Sequence, residues 1–269
     1  MTVRSSQKPS REIVLLLLSL VVVSGLCIPL YRWTQTGDVS LDPDGKWTPQ
    51  RLRRLLFGPE QIACYCFFTW ASLILSRRAL EVARQRTAFQ LDLLPTDEGA
   101  RILPEDARPL IRKLEVNTAR RGPFILATMV RMALGKYAIS KSAPDVGEVV
   151  RTQAEIEQYR LVSSMYLVQY LMWAIPAIGF IGTVRGLAGA FSMASSTVEE
   201  LTVFMNEASR HLNFAFDCTL VALILSVVGM YFLHIVQRSE ENLINDCQQY
   251  CQEHLLLRLY DPQPEHAGV

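Results

Sequence analysis

The sequence predicts an all-α polytopic membrane protein with four transmembrane helices, two of them extended into a helical cytoplasmic domain. Three observations predict this class. Hydrophobic residues make up 50% of the 269-residue chain and charged residues only 20%, with a mean hydropathy of +0.17. That balance is too apolar for an ordinary soluble domain and too polar for a chain lying wholly in lipid. Four apolar runs stand out, and Lys and Arg are distributed unevenly around them.

The first run, Ile13 to Tyr31, carries no charge and is dense in Leu and Val. At 1.5 Å per residue it is just long enough for a hydrocarbon core of about 30 Å. Arg4, Lys8 and Arg11 precede it, as they would a signal peptide, but Leu26 is too large for the residue before a cut, so the run is read as a retained span. The second, Gln61 to Ser76, is shorter and holds Tyr65, Phe67, Phe68 and Trp70. To span, it draws on the upstream Leu55, Leu56 and Phe57 or on local thinning of the bilayer. The third, Leu161 to Phe191, contains Arg185, Pro176, Gly179, Gly182, Gly186 and Gly189. The fourth, Leu212 to Val236, contains Asp217 and His234.

With the N-terminus inside, the inner segments hold 20 Lys and Arg and the outer segments 6. This predicts both termini in the cytoplasm. Residues 1–76 then form an N-terminal pair of spans with an external loop at 32–60. Residues 77–160 form a helical cytoplasmic segment, 161–236 a hairpin of two spans, and 237–269 a cytoplasmic helical tail. Pro95, Pro104, Pro109, Pro123 and Pro144 divide the cytoplasmic segment into short helices. Phe124 to Ile139 is apolar, but Arg131 and Lys136 interrupt it, so it reads as a core helix. The polar run Glu148 to Gln158 feeds the third span without a break, which predicts one long helix. Leu243, Cys247, Tyr250, Cys251 and Leu255 continue a helical stripe beyond the fourth span.

A formal charge of +1 gives no extended basic surface for nucleic acid. The six cysteines lie in apolar runs or the tail, which argues against an extracellular disulfide framework. There is no Walker loop, HExxH or GxSxG, and the four histidines are scattered, so nothing points to an enzyme. Cys247, Cys251 and His254 share a helical face, yet a fourth metal ligand is missing and a core stripe explains the thiols better; neither a metal nor a cofactor is expected.

Ionisable residues inside a span are costly and mark function by default. At helical rise, Arg185 and Asp217 lie roughly 12 Å and 10 Å from their span centres, on the same side. Thr183 and Thr219 lie roughly 9 Å and 7 Å out on that side. An ion pair between Arg185 and Asp217 and two hydroxyls are therefore expected in one layer. The plainer alternative is a pair that only locks two helices while the hydroxyls bond their own backbone. Gly182, Gly186 and Gly189 are expected to let helices approach closely, with oligomerisation through that face.

At these residues the chain resembles a known family. Ile175 to Phe191, IPAIGFIGTVRGLAGAF, is similar to the GxxGTVxG helix of the MotA/TolQ/ExbB proton-channel family. Leu212 to Met230, LNFAFDCTLVALILSVVGM, is similar to its following pore-lining helix. The resemblance implies that Thr183 and Thr219 are pore threonines and that Pro176 is the helix proline before the glycines. It implies an ion pathway to which Asp217 contributes; the glutamate of the ExbB and TolQ branches is replaced by Phe214, and Asp217 sits one turn further on. It further implies a homopentamer around a single-span ExbD/TolR/MotB-like partner with an intramembrane Asp, in the bacterial inner membrane, where proton flow drives movement of the partner. The two leading spans resemble the MotA layout, although the fourth span lacks a proline and no torque-generating charge pair can be mapped. A non-conducting multispan assembly scaffold is the alternative from a different class.

Overall fold

The computed structural model describes residues 14, 16–25, 29, 55–91, 93–94, 101–119, 122–192 and 198–260. Among them the regular structure is helical, apart from an isolated parallel bridge between Ile102 and Leu259. Helix α1 runs over Pro59–Arg86, α2 over Ala107–Ala119, α3 over Ile125–Ser140, α4 over Ala143–Phe191 and α5 over Val198–His254. Of the first apolar run, a short helix at Leu16–Gly25 is described. Apart from residues 14 and 29, the rest of Ile13 to Tyr31, the external loop as far as residue 54, and the tail from residue 261 lie outside the described residues.

Helix α1 starts two residues before the expected run and ends ten after it. Pro59 supplies a pre-set φ at the start, Glu60 complements the amino-terminal dipole, and Arg84 and Arg86 complement the carboxyl-terminal one. An apolar run ends at its first charge, whereas a helix continues through charged residues of good propensity. Both long helices expected from the sequence are continuous: α4 has 49 residues and α5 has 57. These two are long and apolar enough to cross a membrane.

The chain divides into two compact units. One comprises the chain up to Arg77 together with Tyr166–His234; the other comprises Arg78–Met165 and the chain from Ile235. Helices α4 and α5 each contribute one stretch to both.

The unit built on residues 78–165 and the C-terminal stretch has an apolar core of side chains. Leu126, Met129, Leu134 and Tyr137 of α3 are buried with Leu93, Leu114 and Phe124, with Cys247 and Cys251 from α5, and with Leu255 just past its end. Burial of this kind stabilises by about 25 cal/mol per Å² of apolar surface. Gln85, Tyr137 and Arg78 make hydrogen bonds inside it, although Arg78 Nε is buried with no partner. The Gln85 amide donates to the Pro123 carbonyl at 3.1 Å and accepts from the Ile125 N–H at 2.9 Å, so it caps the start of α3. The Tyr137 hydroxyl lies 2.9 Å from the Ile102 carbonyl and 2.7 Å from that of Tyr260, beside the bridge. Arg78 donates from one nitrogen to both Glu240 oxygens at 3.0 Å, and its other nitrogen bonds Ser164. Burial pushes the Glu240 carboxyl up from its ordinary range, with the Arg78 guanidinium pulling against it. Burial also pushes the Cys247 and Cys251 thiols up to about 12. They are therefore neutral core groups, while His254 is exposed and stacks on Tyr250.

The unit containing Tyr166–His234 is organised differently, around an antiparallel hairpin of α4 and α5. Met172 faces Gly229, Gly179 faces Ala222, Gly182 faces Cys218, Gly186 faces Ala215, and Gly189 faces His211. A methyl group on Gly179 would lie 2.5 Å from the Ala222 Cβ. On Gly186 it would lie 2.7 Å from the Ala215 Cβ and 2.9 Å from the His211 carbonyl oxygen. Backbone cannot yield there, so glycine is required by proximity. The glycine face is thus occupied by the next helix of the same chain. This corrects the expectation that Gly182, Gly186 and Gly189 face another copy.

Pro176 lies within α4. Having no N–H, it deprives the Met172 carbonyl of its helical donor. The Ser226 hydroxyl of α5 approaches that carbonyl at 3.5 Å, a long hydrogen bond from the adjacent helix. Outward faces of the same helices are apolar and uncovered within the chain: Trp173 is 78% exposed and Val227 70%.

Candidate functional site

The glycine register brings Thr183 of α4 and Thr219 of α5 together. Their hydroxyl oxygens are in direct hydrogen-bond contact. Thr219 also lies 3.1 Å from the Gly179 carbonyl and 3.1 Å from that of Ala215. Thr183 lies 3.2 Å from the Gly179 carbonyl and 3.4 Å from that of Ala215. Four oxygens from two helices therefore share two hydroxyl protons. A hydroxyl both donates and accepts, so either threonine can donate across the interface while the other donates to a carbonyl. The cluster has two opposite directions of hydrogen bonding, and both hydroxyls are half-buried.

The same contacts include each threonine's own-helix carbonyl four residues back, which is what a purely local hydroxyl does. The sequence placed the two residues at one depth. Only the packing shows that their oxygens meet.

Arg185 and Asp217 do not form the expected pair. Arg185 instead pairs with Glu60 of α1 at 2.9 Å, and its guanidinium lies 5.3 Å over the ring of Phe214. Helical geometry gives the reason. Two residues along a helix is a turn of about 200°, so when Thr183 and Thr219 face each other, Arg185 and Asp217 are directed off the shared face. Equal depth is therefore not contact. Asp217 is half-buried on α5 and makes its interactions elsewhere.

Glu60 lies outside the expected site because an apolar run stops at a charge and the second run starts at Gln61. The residue carries a helix-start signature, Pro59 followed by an acid. Nothing in its spacing shows that the side chain is 8% exposed and reaches the α4–α5 hairpin. A methyl group built on Gly182 would lie 3.3 Å from the Glu60 Cγ, so the glycine face also accommodates this carboxylate. Gln61, the next residue, is fully buried, and its amide oxygen and nitrogen have no hydrogen-bond partner.

These features define a helical protein whose two helices long and apolar enough to cross a membrane pack through small residues around a hydroxyl pair, with a buried carboxylate against Gly182 of the same face. Residues 121–249, a little under half of the chain, match the model of the MotA/TolQ/ExbB proton channel family. The match begins before the hairpin and continues past it, so it takes in α3 and the C-terminal part of α5. No curated protein and no solved structure matches the chain.

Proposed function

We propose that the protein is a non-enzymatic proton-channel subunit of the stator type. It couples ion-motive force across the bacterial inner membrane to movement of a single-span partner that carries an intramembrane Asp. The observation that supports this reading is the Thr183–Thr219 contact: two hydroxyls reaching across the hairpin, with the Gly179 and Ala215 carbonyls beside them. In a site with little water, such a pair can orient water and hand a proton to a partner carboxylate by reversing its direction of hydrogen bonding. The assembly that fits is a homopentamer around the partner, with both termini cytoplasmic, α1 and the first apolar run as further spans, and residues 77–160 and 237–269 on the inner side.

Proton flux into lipid vesicles tests the reading. The vesicles contain the chain and the product of a neighbouring gene encoding a single-span protein with an intramembrane Asp. Thr219→Val keeps shape and removes the hydroxyl, so the complex should assemble while flux falls by roughly a hundredfold, the scale of a lost proton-transfer group. Wild-type flux from a correctly assembled Thr219→Val complex would leave the scaffold reading, in which the hydroxyls only bond their own backbone. Cysteines introduced at Asp44 and Ser196 should be labelled from outside, and one at the exposed Thr152 from inside.

A further inference from the structure

The Arg185–Glu60 pair differs from the other buried ion pair in a way that bears on the proton path. In Arg78–Glu240 both side chains are inaccessible, at 10% and 8% exposure, and Ser164 bonds the second guanidinium nitrogen. That is how a fixed structural lock is built. In Arg185–Glu60 the Glu60 side chain is 9% exposed but the Arg185 side chain is 55% exposed, its guanidinium lying over the Phe214 ring. The anion is held in the protein while the cation has somewhere else to go.

The surroundings of Glu60 add a second observation. Its Cγ lies against Gly182, next to Thr183, on the face that Cys218 shares with Thr219. From α4 the charged group facing it is Arg185. From α5 the titratable neighbour is Cys218, preceded by Asp217, and within α1 it is Cys64, one turn on. Beside it, the Gln61 amide is fully buried with donor and acceptor both unpartnered. A buried amide left in that state is unfavourable unless a small hydrogen-bonding species shares the space. A hydrated proton or water next to Glu60 is such a species.

We infer that Glu60 is the proton-binding carboxylate of this chain's own site and that Arg185 is its exchangeable counter-ion. The inference rests on the proton-channel reading and adds a residue to it. A proton from water adds to a Glu60 oxygen, forming an O–H bond as the ion pair to Arg185 breaks. The guanidinium stays charged and, still over the Phe214 ring, turns toward the exposed side. Its return makes the ionised carboxylate favourable again and expels the proton toward the hydroxyls of Thr183 and Thr219. The carboxylate is neutralised only while it carries the proton, and no other bond changes.

Infrared difference spectra of the full chain in lipid vesicles, taken between mildly alkaline and mildly acidic buffer, test this directly. Wild type should show a buried protonated-carboxyl band that disappears in Glu60→Gln. Arg185→Lys, which keeps a cation opposite the carboxylate, should retain the band. A band that persists in Glu60→Gln, or one that is lost in Arg185→Lys, would overturn the inference. The charge swap Glu60→Arg with Arg185→Glu guards against variants that fail to fold, since it restores an ion pair. The swapped protein should assemble with its partner but lose about a hundredfold in proton flux. Wild-type flux from it would show that the pair is only a lock. The infrared arms need no flux, so they decide on Glu60 even where Thr219→Val has removed the channel reading.

Discussion

The two units of this chain solve the problem of burial by opposite means. In the unit built on α2, α3 and the C-terminal stretch, large side chains such as Phe124, Leu134 and Tyr137 are gathered into a closed core, and the polar groups of Gln85 and Tyr137 among them are bonded. In the unit of the hairpin, the closest contacts are made by Gly179, Gly182 and Gly186, while Trp173 and Val227 are turned outward. Water drives the first arrangement, because apolar surface must leave it. Between the two helices long and apolar enough to cross a membrane, close backbone approach and polar contacts make the packing instead. The difference extends to ion pairs: Arg78–Glu240 is closed to solvent at both ends, and Arg185–Glu60 at one.

The largest effect that would sharpen this comparison is expected at Glu240. Glu240→Leu leaves a buried Arg78 without its carboxylate and should destabilise its unit by about 3–5 kcal/mol. Replacing both, Arg78→Met with Glu240→Leu, should restore most of the loss. Chemical denaturation of the purified chain measures both, and equal instability of the single and double variants would show that shape, not charge, holds this position. The pair also has a pH signature. With its pKa raised in the folded state, Glu240 binds its proton more readily folded than unfolded, so its contribution to stability is greatest at acid pH. It falls as pH rises from the ordinary carboxylate value through the raised one. Glu240→Gln should remove that slope.

A smaller effect is expected in the hairpin. Gly186→Leu forces an isobutyl group where even a methyl meets the His211 carbonyl, and overpacking of this sort costs about 1–3 kcal/mol. The loss should appear in the monomeric chain, as increased protease sensitivity of α4 and α5 in detergent. A Gly186→Leu chain that resists protease as well as wild type, but no longer assembles, would return this glycine to a subunit interface.

The smallest effect is expected on the outward face. Val227→Ala removes two methyl groups that touch little in the chain and should change its stability by about 0.5 kcal/mol or less. A loss of several kcal/mol, measured by unfolding in mixed micelles, would break the comparison by showing that this face is already packed.

Much of this was legible from residue order alone. Apolar length fixed α4 and α5 as the candidate spans, the absence of Gly or Pro from Glu148 to Leu161 predicted a continuous α4, the stripe from Leu243 to Leu255 predicted the extension of α5, and Arg131 with Lys136 marked Phe124 to Ile139 as a core helix. The glycines, Pro176 and the two threonines carried the family resemblance, because each is demanded by local geometry that survives without knowledge of partners: no side chain, no N–H, a hydroxyl at a set depth. What the linear chain could not decide was azimuth and long-range pairing. Depth follows from rise per residue and is additive along a helix, so residue order alone puts Thr183 and Thr219 at one level, and the structure brings their hydroxyls into contact. Which charges meet depends on how each helix is rotated against its neighbours, and that rotation is set by the glycine contacts of α4 with α5 and by where α1 delivers its first turn. For that reason only the tertiary structure gave Arg185 to Glu60, and turned the glycine face inward on its own chain.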